Sequence, residues 1–296
     1  MKLDSIGLIG FGEAGGILAE DLAAQGITVQ VYDRLLDEPD RRGELVAKAE
    51  RLGVRLCDST ASAVQSVPLV ISAVTAGSAL DVAKTAATAM QAGQLFMDIN
   101  SVAPATKQAA SAALEPSGAG YVDAAVMAPV PPKRLQTPIL LGGQEAVELS
   151  ATLNALGFAT RVVAEQIGVA SAIKMCRSVM IKGLEALTTE CLNTARHYGA
   201  EAEVLASLHK SFPSMGWDGE LPSYLISRVA EHGRRRAEEM EEVAETVRAA
   251  GVEPHMSEAI VQTQRGLVDA IAALGLRYDD LAPFDWQRLA DRLRQH

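Results

Sequence analysis

The stretch IGLIGFGEAGGILAEDLAAQG, Ile6 to Gly26, decides the fold. A short apolar run, Ile6 to Gly10, leads into a glycine cluster, and an amphipathic segment follows at helical spacing. Gly10, Gly12 and Gly15 stand in GxGxxG order. The first permits a tight turn, the second lets backbone approach a pyrophosphate, and the third packs helix closely on strand. The helix start then offers unpaired amides and partial positive charge to phosphate. The next apolar run, TVQVYD, ends at Asp33, where a carboxylate can hydrogen-bond a ribose diol. The spacing therefore predicts a strand, a phosphate-binding turn, a helix and a second parallel strand, with Gly10, Phe11, Gly12, Glu13, Ala14 and Asp33 lining a dinucleotide.

Working outward, short apolar runs alternate with Ala-rich amphipathic segments over the first 165 residues. The predicted strands are Ile6 to Gly10, Thr28 to Tyr32, Val54 to Cys57, Pro68 to Val74, Leu95 to Ile99, Gly120 to Val126, Ile139 to Leu141 and Thr160 to Val163. Ala73 and Val74, ending the fourth, belong to the expected cofactor site. APVPPKRLQTP, Ala128 to Pro138, reads as irregular loop, because proline lacks the amide a central strand needs. After Gly168 helical spacing takes over. The expectation is α/β: an N-terminal Rossmann domain with a doubly wound, mostly parallel sheet (1–165), then an all-α C-terminal domain (166–296) for substrate binding and dimerisation, opening with a long interdomain helix.

Hydrophobic residues make up 48% and charged residues 22% of the 296, ordinary usage for a folded globular chain. The net charge of -10 argues against general attraction to nucleic acid or anionic membrane, which leaves a small molecule as the expected partner. Cys57, Cys176 and Cys191 form no CxxC pair, so neither a disulfide framework nor a metal site is expected. With no signal peptide or membrane span visible, the expected location is the cytoplasm. For the cofactor, Asp33 favours NAD because it repels a 2'-phosphate, while Arg34, Arg41 and Arg42 could bind that phosphate, so NADP stays open.

Four motifs occur in order: GFGEAG at Gly10, DINSVAP at Asp98 to Pro104, YVDAAVMAP at Tyr121 to Pro129 and GVASAIK at Gly168 to Lys174. In order and spacing the chain resembles the β-hydroxyacid dehydrogenases, which include 3-hydroxyisobutyrate dehydrogenase and, more distantly, 6-phosphogluconate dehydrogenase. The resemblance covers about the first 190 residues, and the helical remainder is similar to a variant domain of bacterial relatives. It implies hydride transfer between a hydroxy acid-like alcohol and its carbonyl, with Lys174 as general acid/base, and a homodimer. It also exposes departures. The family's DxPVSGG loop is replaced by Asp123 to Pro129, with Met127 at the serine position and Ala128 beside it. Ser178 stands where the family has asparagine, next to Arg177. Methionine offers volume and almost no hydrogen bonding, which points to an altered substrate.

On a helical wheel Val169, Ile173, Cys176, Met180, Gly183 and Leu187 form an apolar stripe, and Ser171, Lys174 and Ser178 line an adjacent lane. By residue type alone Lys174 reads as a snorkelling side chain; the motif order turns it into the proton-transferring group, and Lys182 keeps the snorkelling reading. Ser101 would lie at the C-terminal edge of the sheet and bond substrate or nicotinamide; alternatively, Asn100 and Ser101 merely cap the next helix. Further on, His232 and Arg236 fall on the stripe of Val229, Met240 and Val243, either binding a substrate anion, sitting in an internal network with Glu239, Arg235 and nearby helices, or forming a dimer contact, while EEMEE reads as a solvated face. Three alternative functions remain: an imine reductase, whose relatives generally replace the lysine; a decarboxylating phosphogluconate enzyme, which would be expected to have a much longer helical domain and the Ser-Gly-Gly loop, both absent here; and a non-catalytic dinucleotide sensor.

Overall fold

The structure, a computed structural model, describes residues 3–295. The chain divides into two compact units, Met1–Lys174 and Met175–His296. In the first, eight strands form one sheet: β1 (Ser5–Ile9), β2 (Thr28–Tyr32), β3 (Arg55–Leu56), β4 (Leu69–Ser72), β5 (Leu95–Asp98), β6 (Gly120–Val126), β7 (Pro138–Gly142) and β8 (Ala159–Ala164). All eight coincide with the apolar runs of the sequence. The helices between them are α1 (Glu13–Ala24), α2 (Pro39–Leu52), α3 (Thr60–Val64), α4 (Ala79–Ala87), α5 (Pro104–Leu114) and α6 (Ala146–Ala155).

The strand order is β3-β2-β1-β4-β5-β6-β7-β8. Every neighbouring pair up to β6 is parallel. Buried strands with helices on both faces can be apolar throughout, as LVIS in β4 is. Alternate residues feed two cores. Ile6, Leu8, Leu69 and Ile71 pack with Leu18 and Leu22 of α1, Leu45 of α2 and Leu149 of α6. Ile9 and Val70 pack on the other face with Val64 of α3, Ala83 of α4 and Leu114 of α5. Because β1 lies between β2 and β4, the chain reverses its direction of winding there, and a crevice opens beyond the carboxyl ends of those strands.

β6 and β7 are antiparallel, with Asp123 opposite Gly142. The Pro-rich loop makes that reversal without a crossover helix. Arg134 in it ties the loop to α1 through Asp21 at 2.6 Å and Glu20 at 2.5 Å. α6 then returns the chain so that β8 runs parallel to β7.

A helix of 29 residues, α7 (Val169–His197), begins in the first unit and continues into the second. The second unit adds α8 (Glu201–Ser211), α9 (Leu221–Ala249), α10 (His255–Ala273) and α11 (Trp286–Arg294). Its cores join Leu192, Ile226, Val229, Leu267 and Trp286, and separately Met175, Ala186, Met240, Val243 and Ile260. α9 and α10 approach so closely at Gly233 that a Cβ there would stand 2.2 Å from the Gln264 carbonyl oxygen.

Much of the apolar stripe on α7 is open: Met180 is 74% exposed, Leu187 57% and Ile173 39%. The helix buries Met175, Lys182, Glu185, Ala186, Thr189 and Leu192. That face can go inside because its charges are matched: Lys182 reaches Glu239 at 2.6 Å, and Glu185 receives Arg236 at 2.8 Å. Lys182 is therefore a buried ion-pair member rather than a snorkelling residue, and Glu239 is not part of a solvated face.

Candidate active site

The glycine loop joins β1 to α1 as the spacing predicts. Gly10 has φ +98°, and a Cβ on it would meet the Ala73 carbonyl oxygen at 2.2 Å, so only glycine lets the ends of β1 and β4 come this close. A Cβ on Gly15 would meet the Gly10 carbonyl at 2.0 Å. A Cβ on Gly12, by contrast, would meet nothing within 4 Å, so that side of the loop is open. Gly12 is the N-cap of α1 and no side chain caps the helix, which leaves the first-turn amides around Glu13 and Ala14 available to an anion. Asp33 follows β2 and accepts from the Phe11 amide at 2.6 Å and the Leu35 amide at 2.9 Å. Its remaining lone pairs can take a ribose diol. Arg34 is exposed and donates to Ser78 at 3.4 Å. These residues fit a dinucleotide: an open cradle of backbone, an uncapped helix start and an acid at the second strand.

At the end of β5 the chain turns through Asp98, Ile99, Asn100 and Ser101. Asn100 does not cap α5, whose N-cap is Ala103 without any side-chain bond. Its side chain accepts from the Val74 amide at 2.6 Å and donates to Ser72 at 2.9 Å, locking the end of β4 to this loop. Ser101 likewise serves another purpose than capping. Its Oγ receives a hydrogen bond from Lys174 Nζ at 2.5 Å. Both groups are half-buried, so the amine is reachable while its direction is fixed.

The placement of Lys174 rests on a buried charge cluster. Asp123 on β6 accepts from the amides of Gly168 and Ser171, both at 3.1 Å, and from Ser171 Oγ at 2.6 Å, so it caps the first turn of α7. Lys107 on α5 lies 3.0 Å from Asp98 and 3.5 Å from Asp123, with its side chain and both carboxylates fully buried. It also donates to the Asp98 carbonyl at 2.6 Å. Asp98 in turn accepts from the Asn100 amide at 2.8 Å and from Tyr121 Oη at 2.7 Å. Burial, then the Asp98 charge, push the Tyr121 phenol far above its ordinary range, so it stays a donor. One cation thus joins the carboxylate that shapes the Ser101 loop to the carboxylate that starts the Lys174 helix.

Met127 and Ala128 follow β6 and are half-buried; Met127 packs beside Ala125, Leu140 and Ala170. Ser178 lies one helical turn beyond Lys174 and is half-buried. Arg236 does not stand ready for a free anion: its guanidinium is matched by Glu185, which also accepts from Gln264 at 3.3 Å, although Arg236 Nε is buried without a partner. His232 lies 3.3 Å from Glu231, yet its pKa falls below the ordinary histidine value. Burial and then Arg228 outweigh that exposed glutamate. Each of the two residues has an internal partner, Glu185 on α7 for Arg236 and Glu231 for His232. Among the described residues no group of three His, Cys, Asp or Glu is placed to hold a metal ion, and no helix is long and apolar enough to cross a membrane.

Lys107, and Lys48 on α2, whose Nζ donates to the Phe11 and Gly12 carbonyls of the glycine loop, were both missed by pattern. Lys107, Ala110 and Leu114 share one stripe of α5, which marked the lysine as inward-facing. Lys48 had only an indirect signal, Gly16 directly after the GxGxxG run.

The fold and this loop define a dinucleotide-binding α/β protein with a helical second unit. The family profile described as the NAD binding domain of 6-phosphogluconate dehydrogenase matches residues 5–167, more than half of the chain, and the chain belongs to that family, as a divergent β-hydroxyacid dehydrogenase relative that uses a nicotinamide dinucleotide. A domain of unknown function, DUF1932, matches residues 195–267. A conserved hypothetical protein from Sinorhizobium meliloti 1021 is 36% identical, with a TM-score of 0.82 over 99% of this chain and 97% of its own. A second solved structure, described as similar to 3-hydroxyacid dehydrogenases, is 34% identical, with a TM-score of 0.73 over 90% of this chain and 97% of its own. The mitochondrial 3-hydroxyisobutyrate dehydrogenase of Drosophila melanogaster is 25% identical over 222 residues, 73% of this chain and 66% of the fly protein.

Proposed function

We propose that the protein is an NAD(P)-dependent oxidoreductase, with NAD favoured, that interconverts a hydroxy acid-like alcohol and its carbonyl, with Lys174 as general acid and base. The observation that carries this reading is the Lys174 Nζ to Ser101 Oγ contact, beside the strand ends where the open glycine loop lies. The bound nicotinamide supplies or accepts the hydride. As charge grows on the substrate oxygen, Lys174 stabilises it and delivers a proton; in the other direction the neutral amine takes the hydroxyl proton. Ser101 holds the amine when substrate is absent and orients the substrate oxygen when it is present. Gly10, Phe11, Gly12, Glu13 and Ala14 cradle the pyrophosphate, with Ala73 and Val74 behind the cofactor, and Asp33 selects NAD by facing the ribose diol. Met127 and Ala128, in place of hydrogen-bonding residues, favour a substrate with an apolar body, and Ser178 contributes a single hydroxyl.

The test is steady-state turnover on a panel of hydroxy acids, aldehydes, ketones and cyclic imines with NADH and NADPH. Lys174→Ala is expected to lower kcat by about 10²- to 10⁴-fold on carbonyl substrates, with NADH affinity nearly unchanged. Undiminished turnover in that variant would sink the mechanism. Reduction of imines alone would favour the imine reductase, and NADH binding without any turnover would favour a sensor. We further propose a homodimer working in the cytoplasm. The free thiols of Cys57, Cys176 and Cys191 fit a reducing compartment, and light scattering tests the dimer.

A further inference from the structure

We propose that Lys48 is a positioning residue of the cofactor site: it turns the peptide groups of the glycine loop so that their N–H groups face the pyrophosphate, and Gly16 leaves the space that admits it. Lys48 lies on α2, and its Nζ donates to the Phe11 carbonyl at 2.6 Å and the Gly12 carbonyl at 3.0 Å. The same ammonium sits 4.3 Å from the centre of the Phe11 ring. A trans peptide is planar, with its C=O and N–H pointing to opposite sides. Holding the oxygens of Phe11 and Gly12 therefore directs the N–H groups of Gly12 and Glu13 the other way, away from Lys48, in a loop where a Cβ on Gly12 would meet nothing within 4 Å. The preceding N–H, that of Phe11, is held by Asp33. Three successive peptide groups are thus fixed before any phosphate arrives, and binding loses less conformational freedom.

Gly16 is not part of GxGxxG, and the structure explains it. A Cβ there would stand 2.5 Å from Lys48 Nζ and 2.8 Å from its Cε. Those atoms end a flexible side chain, so alanine at this position would displace the lysine rather than break the helix. Partial burial, offset in part by Asp33, lowers the Lys48 pKa. Its role is to shape the loop, with no contact to the cofactor required.

The inference rests on the dinucleotide reading, and the experiment separates the two. NADH is titrated into the full-length protein by fluorescence, with no turnover needed, for wild type, Lys48→Met, Gly16→Ala and the double variant; unfolding midpoints confirm that each is folded. Lys48→Met is expected to weaken NADH binding by about tenfold to a hundredfold, the size of one charge-assisted hydrogen bond. Gly16→Ala should match it, and the double variant should bind no worse than Lys48→Met alone, because both changes remove the same contact. An unchanged dissociation constant in folded Lys48→Met, or losses that add in the double variant, would overturn the role of Lys48 while leaving the dinucleotide site standing. Failure of the wild type to bind either NADH or NADPH would overturn both.

Discussion

Lys107 has no solvent-exposed side-chain surface and faces two buried carboxylates. Removing one member of such a group strands the others without compensation, at a cost of about 3–5 kcal/mol. Lys107→Met, which keeps the volume and loses the charge, is expected to lower stability by that amount in urea unfolding; a change within experimental error would show that Asp98 and Asp123 manage without it. The substitution also loosens the link between the Ser101 loop and the first turn of α7. The folded fraction should then show reduced kcat with little change in NADH affinity. At this scale the sequence was readable where a residue serves a local rule, as Gly10, Gly12, Gly15 and Asp33 do. It was silent where the partner is distant in the chain. Asn100 looked like a helix cap because capping is local, but its partners are Val74 and Ser72 on another strand.

Among elements, the crossing of α9 and α10 has the least slack. Gly233→Ala pushes a methyl into the Gln264 backbone, and overpacking of this kind costs about 1–3 kcal/mol. A lowered urea midpoint with an unchanged m-value is expected, and an unchanged midpoint would mean that the helices separate freely. All eight strands were legible because parallel strands buried on both faces are short apolar runs bounded by turns. The buried face of α7 was not. Periodicity ranks faces by apolar content, whereas this helix buries Lys182 and Glu185 against Glu239 and Arg236, residues more than 50 positions away, and leaves Met180 and Leu187 open.

For the molecule as a whole, one contribution to acid sensitivity follows from His232. Burial and Arg228 hold its pKa below the ordinary value, so the unfolded chain binds a proton more readily than the folded one. Its contribution to stability is full above the ordinary histidine range and is lost as pH falls from that range through the lower folded-state pKa. Between about pH 7.5 and 5.5 the wild type should lose more in Tm than His232→Gln does, and equal losses would assign the acid response to other groups. The course of α7 has a consequence for how the chain is made. Its first turn is received by Asp123, a residue that leaves the ribosome well before the rest of the helix. Starting a helix is its costly step, and here the start is templated by strands already synthesised. The nucleating turn of α7 is therefore supplied within the N-terminal unit, and the part of the helix that lies in the second unit extends a helix already begun.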